Sequence, residues 1–281
     1  MYRTVRNLSV ATALFAFSFS VALAAPQAEL WPRWEAHDPA STEVLDHAPW
    51  GRFLETNLIT NHSSGVNQIA YADVSREDRR ALQAYISDLE AVSVSGLNRD
   101  EQMAFWLNLY NAVTVELILE HYPVDSIRDI NISGRPFNRH PWDAELVTVE
   151  GEAVSLNDIE HRIIRPIWQD ERIHYAVNCA SVGCPNLHPV PFSGENYRAV
   201  FEEAAHAYVN HPRGARFEGD RLHISSIYEW YQEDFGDDIE GVVDHLLEYA
   251  EPDLAGRLRS YAGNNYRPRA RDAYDWALNE P

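Results

Sequence analysis

The sequence predicts an α+β protein, a helix-rich single domain with a small antiparallel sheet. Three observations predict it. The run "EQMAFWLNLYNAVTVELILEH" (101–121) is apolar on almost every side and long enough to form a central buried helix. Several flanking segments repeat apolar residues at helical spacing. Two stretches, "ELVTVEGEAVSL" and "ARFEGDRLHI", place a glycine turn between short alternating runs and read as hairpins.

From the N-terminus, Arg3 and Arg6 precede an uncharged, mostly apolar run that ends in Ala22-Leu23-Ala24. This is the pattern of a secretory signal peptide over residues 1–24, with a small-x-small cleavage site. The apolar run is short for a membrane span, and no later stretch is long and apolar enough to be one. The expectation is an exported protein, periplasmic or secreted, with no membrane span after cleavage. Residues 25–65 read as an irregular lead-in with apolar patches. "VSREDRRALQAYISDLEAV" then reads as a helix capped by Ser75, with Leu82, Tyr85, Ile86 and Leu89 inward. Lead-in and first helix together make an N-terminal section, 25–99, packed on the domain at 100–281.

The central helix is expected to be capped by Asp100 and ended by Pro123. Steps of seven and three put Glu101, Asn108 and Asn111 on one stripe, where buried amides must find hydrogen-bond partners. They either pin neighbouring loops or line a site wall. After the hairpin with Gly151 in its turn, Ser155 and Asp158 resemble a capping box for a short helix that Pro166 should stop. Its apolar face is Leu156, Ile159 and Ile163. Glu160 sits at the edge of that face, and a carboxylate leaning toward a core needs a partner or a raised pKa. His161 shares the other side with Asn157 and Arg165, about 100° from Glu160, so the two should not orient one another.

"RIHYAVNC" (172–179) alternates and reads as a strand, with Ile173, Tyr175, Val177 and Cys179 on one face and His174, Ala176 and Asn178 on the other. The Gly/Pro-shaped loop that follows carries Cys184. Then come a helix in "ENYRAVFEEAAHAYVNH", the second hairpin turning at Gly219-Asp220, a short aromatic helix, and the amphipathic "DIEGVVDHLLEYA". Tyr274 and Trp276 imply that the tail docks.

Charge narrows the function classes. The chain has 23 arginines and no lysine against 43 acidic residues, a formal net of -20. Such a balance repels nucleic acid and anionic membranes. There is no phosphate-binding glycine loop, zincin motif or Gly-x-Ser-x-Gly elbow. Chemistry therefore centres on Cys179 and Cys184, the only cysteines. Three readings stand: a disulfide closing a tiny loop, permitted by export; a thiol nucleophile with a histidine base; or half of a metal site. The spacing is at the wide end of zinc patterns and no second close ligand pair accompanies it, so no metal or cofactor is expected. Ser181 lies in the same loop as a weaker nucleophile.

Five blocks, "FWLNLYNAVTVELILEHYPVDSI", "SLNDIEHRIIRP", "RIHYAVNCASVGCPNL", "SSIYEWYQEDF" and "YDWALN", resemble in order the family known as domain of unknown function 547 (DUF547). The resemblance runs from about Asp100 to the C-terminus. It implies that Asn108, Asn111, Glu160, His161, His174, Cys179 and Cys184 occupy the family's motif positions. Members resembling this chain also occur inside larger intracellular proteins; where they share this loop, an obligatory disulfide becomes less attractive and a reduced thiol site gains ground. A suspected distant kinship with thiol-protease or transglutaminase-like enzymes also follows, although this chain lacks their cysteine-first order.

Together these readings place a cleft between the helix at 101–121, the helix at 156–165 and the cysteine loop. The expected function is thiol-dependent hydrolysis or acyl transfer on an amide- or ester-containing small molecule or peptide. Cys184 or Cys179 would be the nucleophile and His174 or His161 the base. Glu160 would orient or stabilise charge, with Asn108, Asn111 and Asn178 in support. The alternative is a non-catalytic envelope domain that binds a ligand or protein, stapled by a Cys179–Cys184 disulfide.

Overall fold

The computed structural model describes residues 26–133, 140–266, 269–271 and 274–281. The expected signal peptide lies outside them. Among the described residues eight α-helices and small sheets make a helix-rich α+β architecture.

Helix α1 (Ala48–Asn57) falls within the stretch read as irregular. Pro49 sits in its first turn, where the missing N–H costs nothing, and Trp50, Phe53 and Leu54 form a buried stripe too short to stand out as periodicity. Strands β1 (Leu58–Ile59) and β2 (Gln68–Ile69) pair antiparallel. Helix α2 (Arg76–Glu90) begins as expected, with the Ser75 side chain accepting from Asp78 N–H, and buries Leu82, Tyr85, Ile86 and Leu89.

Helix α3 (Arg99–His121) is the buried centre of the fold. Its cap is Asn98 rather than Asp100. The Asn98 side chain accepts from both Asp100 N–H and Glu101 N–H, at 3.0 Å each. Asp100 instead binds the Tyr197 hydroxyl and Arg198. Tyr122 is extended before Pro123, which ends the helix where the sequence placed the stop.

Strands β3 (Val147–Val149) and β4 (Glu152–Val154) form the first hairpin around Gly151. The Ser155–Asp158 capping box is present in both directions, at 3.0 and 3.1 Å. Pro166, however, does not stop the helix. A π-helical segment (Asp158–Ile164) runs directly into α4 (Arg165–Trp168), which ends at left-handed Gln169. Proline lacks the N–H that would have bonded the carbonyls one turn back. The lead-in supplies it: Glu29 N–H donates to His161 O and Trp31 N–H to Arg162 O, each at 2.9 Å. With those carbonyls satisfied from outside, the helix continues through the proline.

The strand expected at 172–179 is a 3-10 turn (Glu171–Tyr175) followed by irregular chain. Asp170 caps it by accepting from Arg172 N–H. The alternation reflects burial on two sides: Ile173, Ala176 and Val177 join the core built on α3, while Tyr175 joins the core beneath α5 (Tyr197–Val209). The segment bridges two hydrophobic clusters.

The second hairpin, β5 (Ala215–Glu218) with β6 (Arg221–Ile224), turns at Gly219 as expected. Helices α6 (Ile227–Trp230), α7 (Ile239–Tyr249) and α8 (Pro252–Gly263) follow, the last with no counterpart in the sequence reading. Strand β7 (Arg269–Arg271) lies parallel to β6. The tail docks: Val182 N–H donates to Ala277 O, Gly183 N–H to Asp275 O and Asn279 N–H to Ala180 O. No helix of the described residues is long and apolar enough to cross a membrane.

Candidate functional site

The asparagines expected either to pin loops or to line a wall do the first. Asn108 donates to Phe192 O and accepts from Phe192 N–H. Asn111 donates to Ala176 O and accepts from Asn178 N–H, at 2.9 Å each. Asn178 passes the contact on, donating to Pro185 O and accepting from Ala180 N–H. Buried amides thus tie α3 to both ends of the cysteine loop, which is how a loop with little regular structure keeps one conformation. Glu101 accepts from Gly194 N–H on the loop before α5 and from Leu45 N–H in the lead-in.

Inside that frame Ala180 adopts φ 57°, a left-handed conformation that costs an L-residue on the order of 1 kcal/mol. Gly183 leaves no room for a side chain, since a Cβ would lie 2.8 Å from the Tyr274 ring and 2.9 Å from Asp275 O. The close approach of the tail fixes Tyr274 beside the sulfurs.

Cys179 and Cys184 are unbridged. The Cys184 sulfur accepts from Cys179 N–H (3.1 Å), the Tyr274 hydroxyl (3.0 Å) and the Ser181 hydroxyl (3.5 Å). Burial alone would raise its pKa, but the hydrogen bond from the Cys179 thiol, followed by these other donors, outweighs it and brings the thiol down to about 6. The neighbouring sulfur moves Cys179 the other way, well above the ordinary thiol range. Cys184 is the more acidic thiol of the pair. No histidine hydrogen-bonds either sulfur among the described residues.

Across the cleft, Asp234 Oδ2 accepts from His174 Nε2–H and Arg165 Nε–H, both at 2.6 Å. Burial would raise Asp234, but those two donors hold it down at about 2. With Nε2 engaged, His174 Nδ1 carries a lone pair, has no hydrogen-bond partner, and lies 3.8 Å from Glu160 Oε1. Burial lowers the His174 pKa, and it raises that of Glu160 despite His174, Arg165 and the Tyr110 hydroxyl at 3.2 Å. Arg165 also donates to His161 Nδ1 at 3.1 Å. That contact makes Nδ1 the acceptor and leaves the His161 proton on Nε2. Burial and Arg165 lower His161 to about 3, so it stays neutral.

Glu160, His161, His174, Cys179 and Cys184 all line one cavity of about 390 Å³, together with Tyr110 of α3 and an aromatic wall of Trp142, Trp230, Tyr231, Tyr274 and Trp276. The cleft therefore forms where the sequence placed it. Asn108, Asn111 and Asn178 stand behind it, not in it. Parity does not separate His174 from Cys179, because the segment is not a strand. Glu160 and His161 both face inward because a π turn is wider than an α turn. Sequence reasoning missed Asp234 and Tyr274 as site residues and did not foresee the central role of Arg165. Asp234 lies in the stretch "SSIYEWYQEDF", but nothing local marks its carboxylate as a partner for a histidine 60 residues away.

Residues 94–209 match the family described as "Protein of unknown function, DUF547". No curated protein and no solved structure matches the chain.

Proposed function

We propose that this chain, which carries a DUF547 domain over residues 94–209, is an exported thiol enzyme that hydrolyses or transfers an acyl group from an amide- or ester-containing substrate. The observation that carries the reading is the single cavity shared by the Cys184 sulfur and the buried Glu160–His174–Asp234 chain.

The Cys184 thiolate attacks the acyl carbon, forming a C–S bond and displacing the amine or alcohol. Glu160, whose pKa burial raises, is the acid that protonates the leaving group. His174, anchored by Asp234, faces Glu160 with its Nδ1 lone pair and steadies the proton there. The neutral His161 Nε2–H is a donor for the acyl oxygen. Water or an acceptor nucleophile then gives its proton to Glu160 and cleaves the thioester. The distant thiol-protease or transglutaminase-like kinship belongs to this proposal, with the histidines preceding the cysteine in the chain.

The test is intact-mass detection of an acyl adduct after mixing with an activated ester, with peptide mapping. The expected result is an adduct on Cys184 that is absent from C184S. A chain that forms none with any ester or thioester probe overturns the reading.

The aromatic wall favours the second reading, a binding domain whose cysteines form a disulfide in the exported protein. Thiol titration of denatured, unreduced protein separates the two. Two free thiols support the enzyme, and none supports the staple.

A further inference from the structure

Arg213, just before β5, spans the turn that holds Cys184. Its NH1 donates to Val182 O at 3.0 Å and its NH2 to Asn186 Oδ1 at 2.6 Å, one contact on each side of the cysteine. The guanidinium lies over the Tyr208 ring, 5.5 Å from its centre, and the Tyr208 hydroxyl donates to Gly183 O at 2.8 Å. The Arg213 Nε is enclosed and has no partner. Among the described residues no carboxylate pairs with this arginine. The guanidinium as a whole is half-buried, and a partly desolvated cation without a counter-charge carries a cost.

Three groups near Arg213 could carry negative charge: Tyr208, Tyr274 and Cys184. Burial holds both tyrosines well above their ordinary range, so they are neutral at physiological pH. The other titratable groups acting on Cys184 are also neutral there. Tyr71 and Tyr110 are raised by burial, and Cys179 is raised first by its hydrogen bond with Cys184 and then by burial. That leaves Cys184 among these groups; Asp275, which lines the same surface pocket as Arg213, accepts from Ala277 N–H and makes no ion pair with the arginine.

We propose that Arg213 is the counter-cation of the Cys184 thiolate, a positioning residue that clamps the turn and stabilises the charge from behind without touching substrate. The inference rests on Cys184 being the reactive thiolate of the proposed function. Sequence alone could not show it, because the clamp is made through one backbone carbonyl and an asparagine rather than a motif.

The test is the pH–rate profile of iodoacetamide alkylation, with the modified cysteine identified by peptide mass, in wild type, R213Q and R213K. Wild type is expected to react at Cys184 with a midpoint near pH 6. R213Q should move that midpoint up by about one unit or more, since removing an adjacent opposite charge has effects of that order. R213K, which keeps the charge and changes the hydrogen bonds, should stay near wild type. A low midpoint in wild type that R213Q leaves unchanged overturns the role of Arg213 alone. A lysine variant that shifts as far as the glutamine one also overturns it, because charge is then not the cause. A wild-type midpoint at the free-thiol value of about 8.5 overturns the reading of Cys184 as well.

Thermal stability provides a second readout that does not depend on R213Q folding. A depressed cysteine pKa contributes stability that is present above the unfolded value and lost as pH falls through the folded one. The melting-temperature gap between wild type and C184A should therefore widen from pH 5 to pH 8, and also do so with R213K as the parent. A gap that stays flat with pH overturns the pairing.

Discussion

Asp234 Oδ2 receives Arg165 Nε–H and His174 Nε2–H at the same 2.6 Å, so one carboxylate oxygen sets the orientation of two buried side chains. Through Arg165 it also reaches His161, whose tautomer follows from the Arg165 contact. Replacing Asp234 with asparagine should uncouple all three. We expect D234N to lower the acylation rate on the order of 100-fold, within the range spanned by positioned acid–base groups, while Cys184 remains alkylatable. An unchanged rate would remove Asp234 from the mechanism. The same residue governs an acid limb of stability. Its folded pKa, about 2, lies below the unfolded value, so its contribution is present above that value of about 3.9 and is lost as pH falls toward 2. Urea midpoints of wild type and D234N should therefore converge between about pH 4 and pH 2. Asn111 offers a structural contrast. N111A leaves Ala176 O and Asn178 N–H without partners in a buried place. It should cost about 2–4 kcal/mol in urea denaturation.

The helix from Ser155 to Trp168 combines three local rules that compete. A reciprocal Ser–Asp cap starts it, a π turn widens it, and a proline inside it removes an internal hydrogen bond. The lead-in resolves the competition by capping His161 O and Arg162 O from outside. S155A should cost about 1 kcal/mol, as N-cap losses do, and should leave the cavity intact. Deleting residues through Trp31 should do more, since two buried carbonyls lose their donors and Arg165 loses the Pro26 carbonyl. The expected sign is faster amide exchange confined to 158–168, measured by hydrogen–deuterium exchange. Uniform protection there would mean the helix does not depend on its plug. A periodicity argument reads each residue against an ideal 3.6-residue turn. It therefore placed Glu160 and His161 on different sides, and the added π residue brought both to the cavity.

At the scale of the whole molecule, the site lies where two hydrophobic clusters meet and where the docked tail closes over the cysteine loop. Truncation after Asp275 removes Trp276 from the wall and the Ala277 and Asn279 contacts from the loop. Alkylation should then lose its preference for Cys184 over Cys179, as read by peptide mass ratios. Much of this arrangement was legible in the chain. The apolar run of α3, both hairpins, the Ser75 and Ser155 caps and the docking tail all followed from spacing and turn chemistry. So did the candidate set Glu160, His161, His174, Cys179 and Cys184. The alternation at 172–179 misled, because burial against two clusters mimics a strand in a segment that makes no ladder. Helices α1 and α8 escaped because their buried faces are short and depend on partners distant in sequence. By itself, the sequence determined which runs must be buried and which side chains are candidates for chemistry, since both follow from side-chain type and local period. Only the tertiary structure decided that Asp234 bonds His174, that Tyr274 donates to Cys184, that Arg213 bridges the two sides of the Cys184 turn, and that the asparagines hold loops rather than line the cleft. Those outcomes depend on hydrogen bonds between groups tens of residues apart, whose geometry exists only once the two cores have packed.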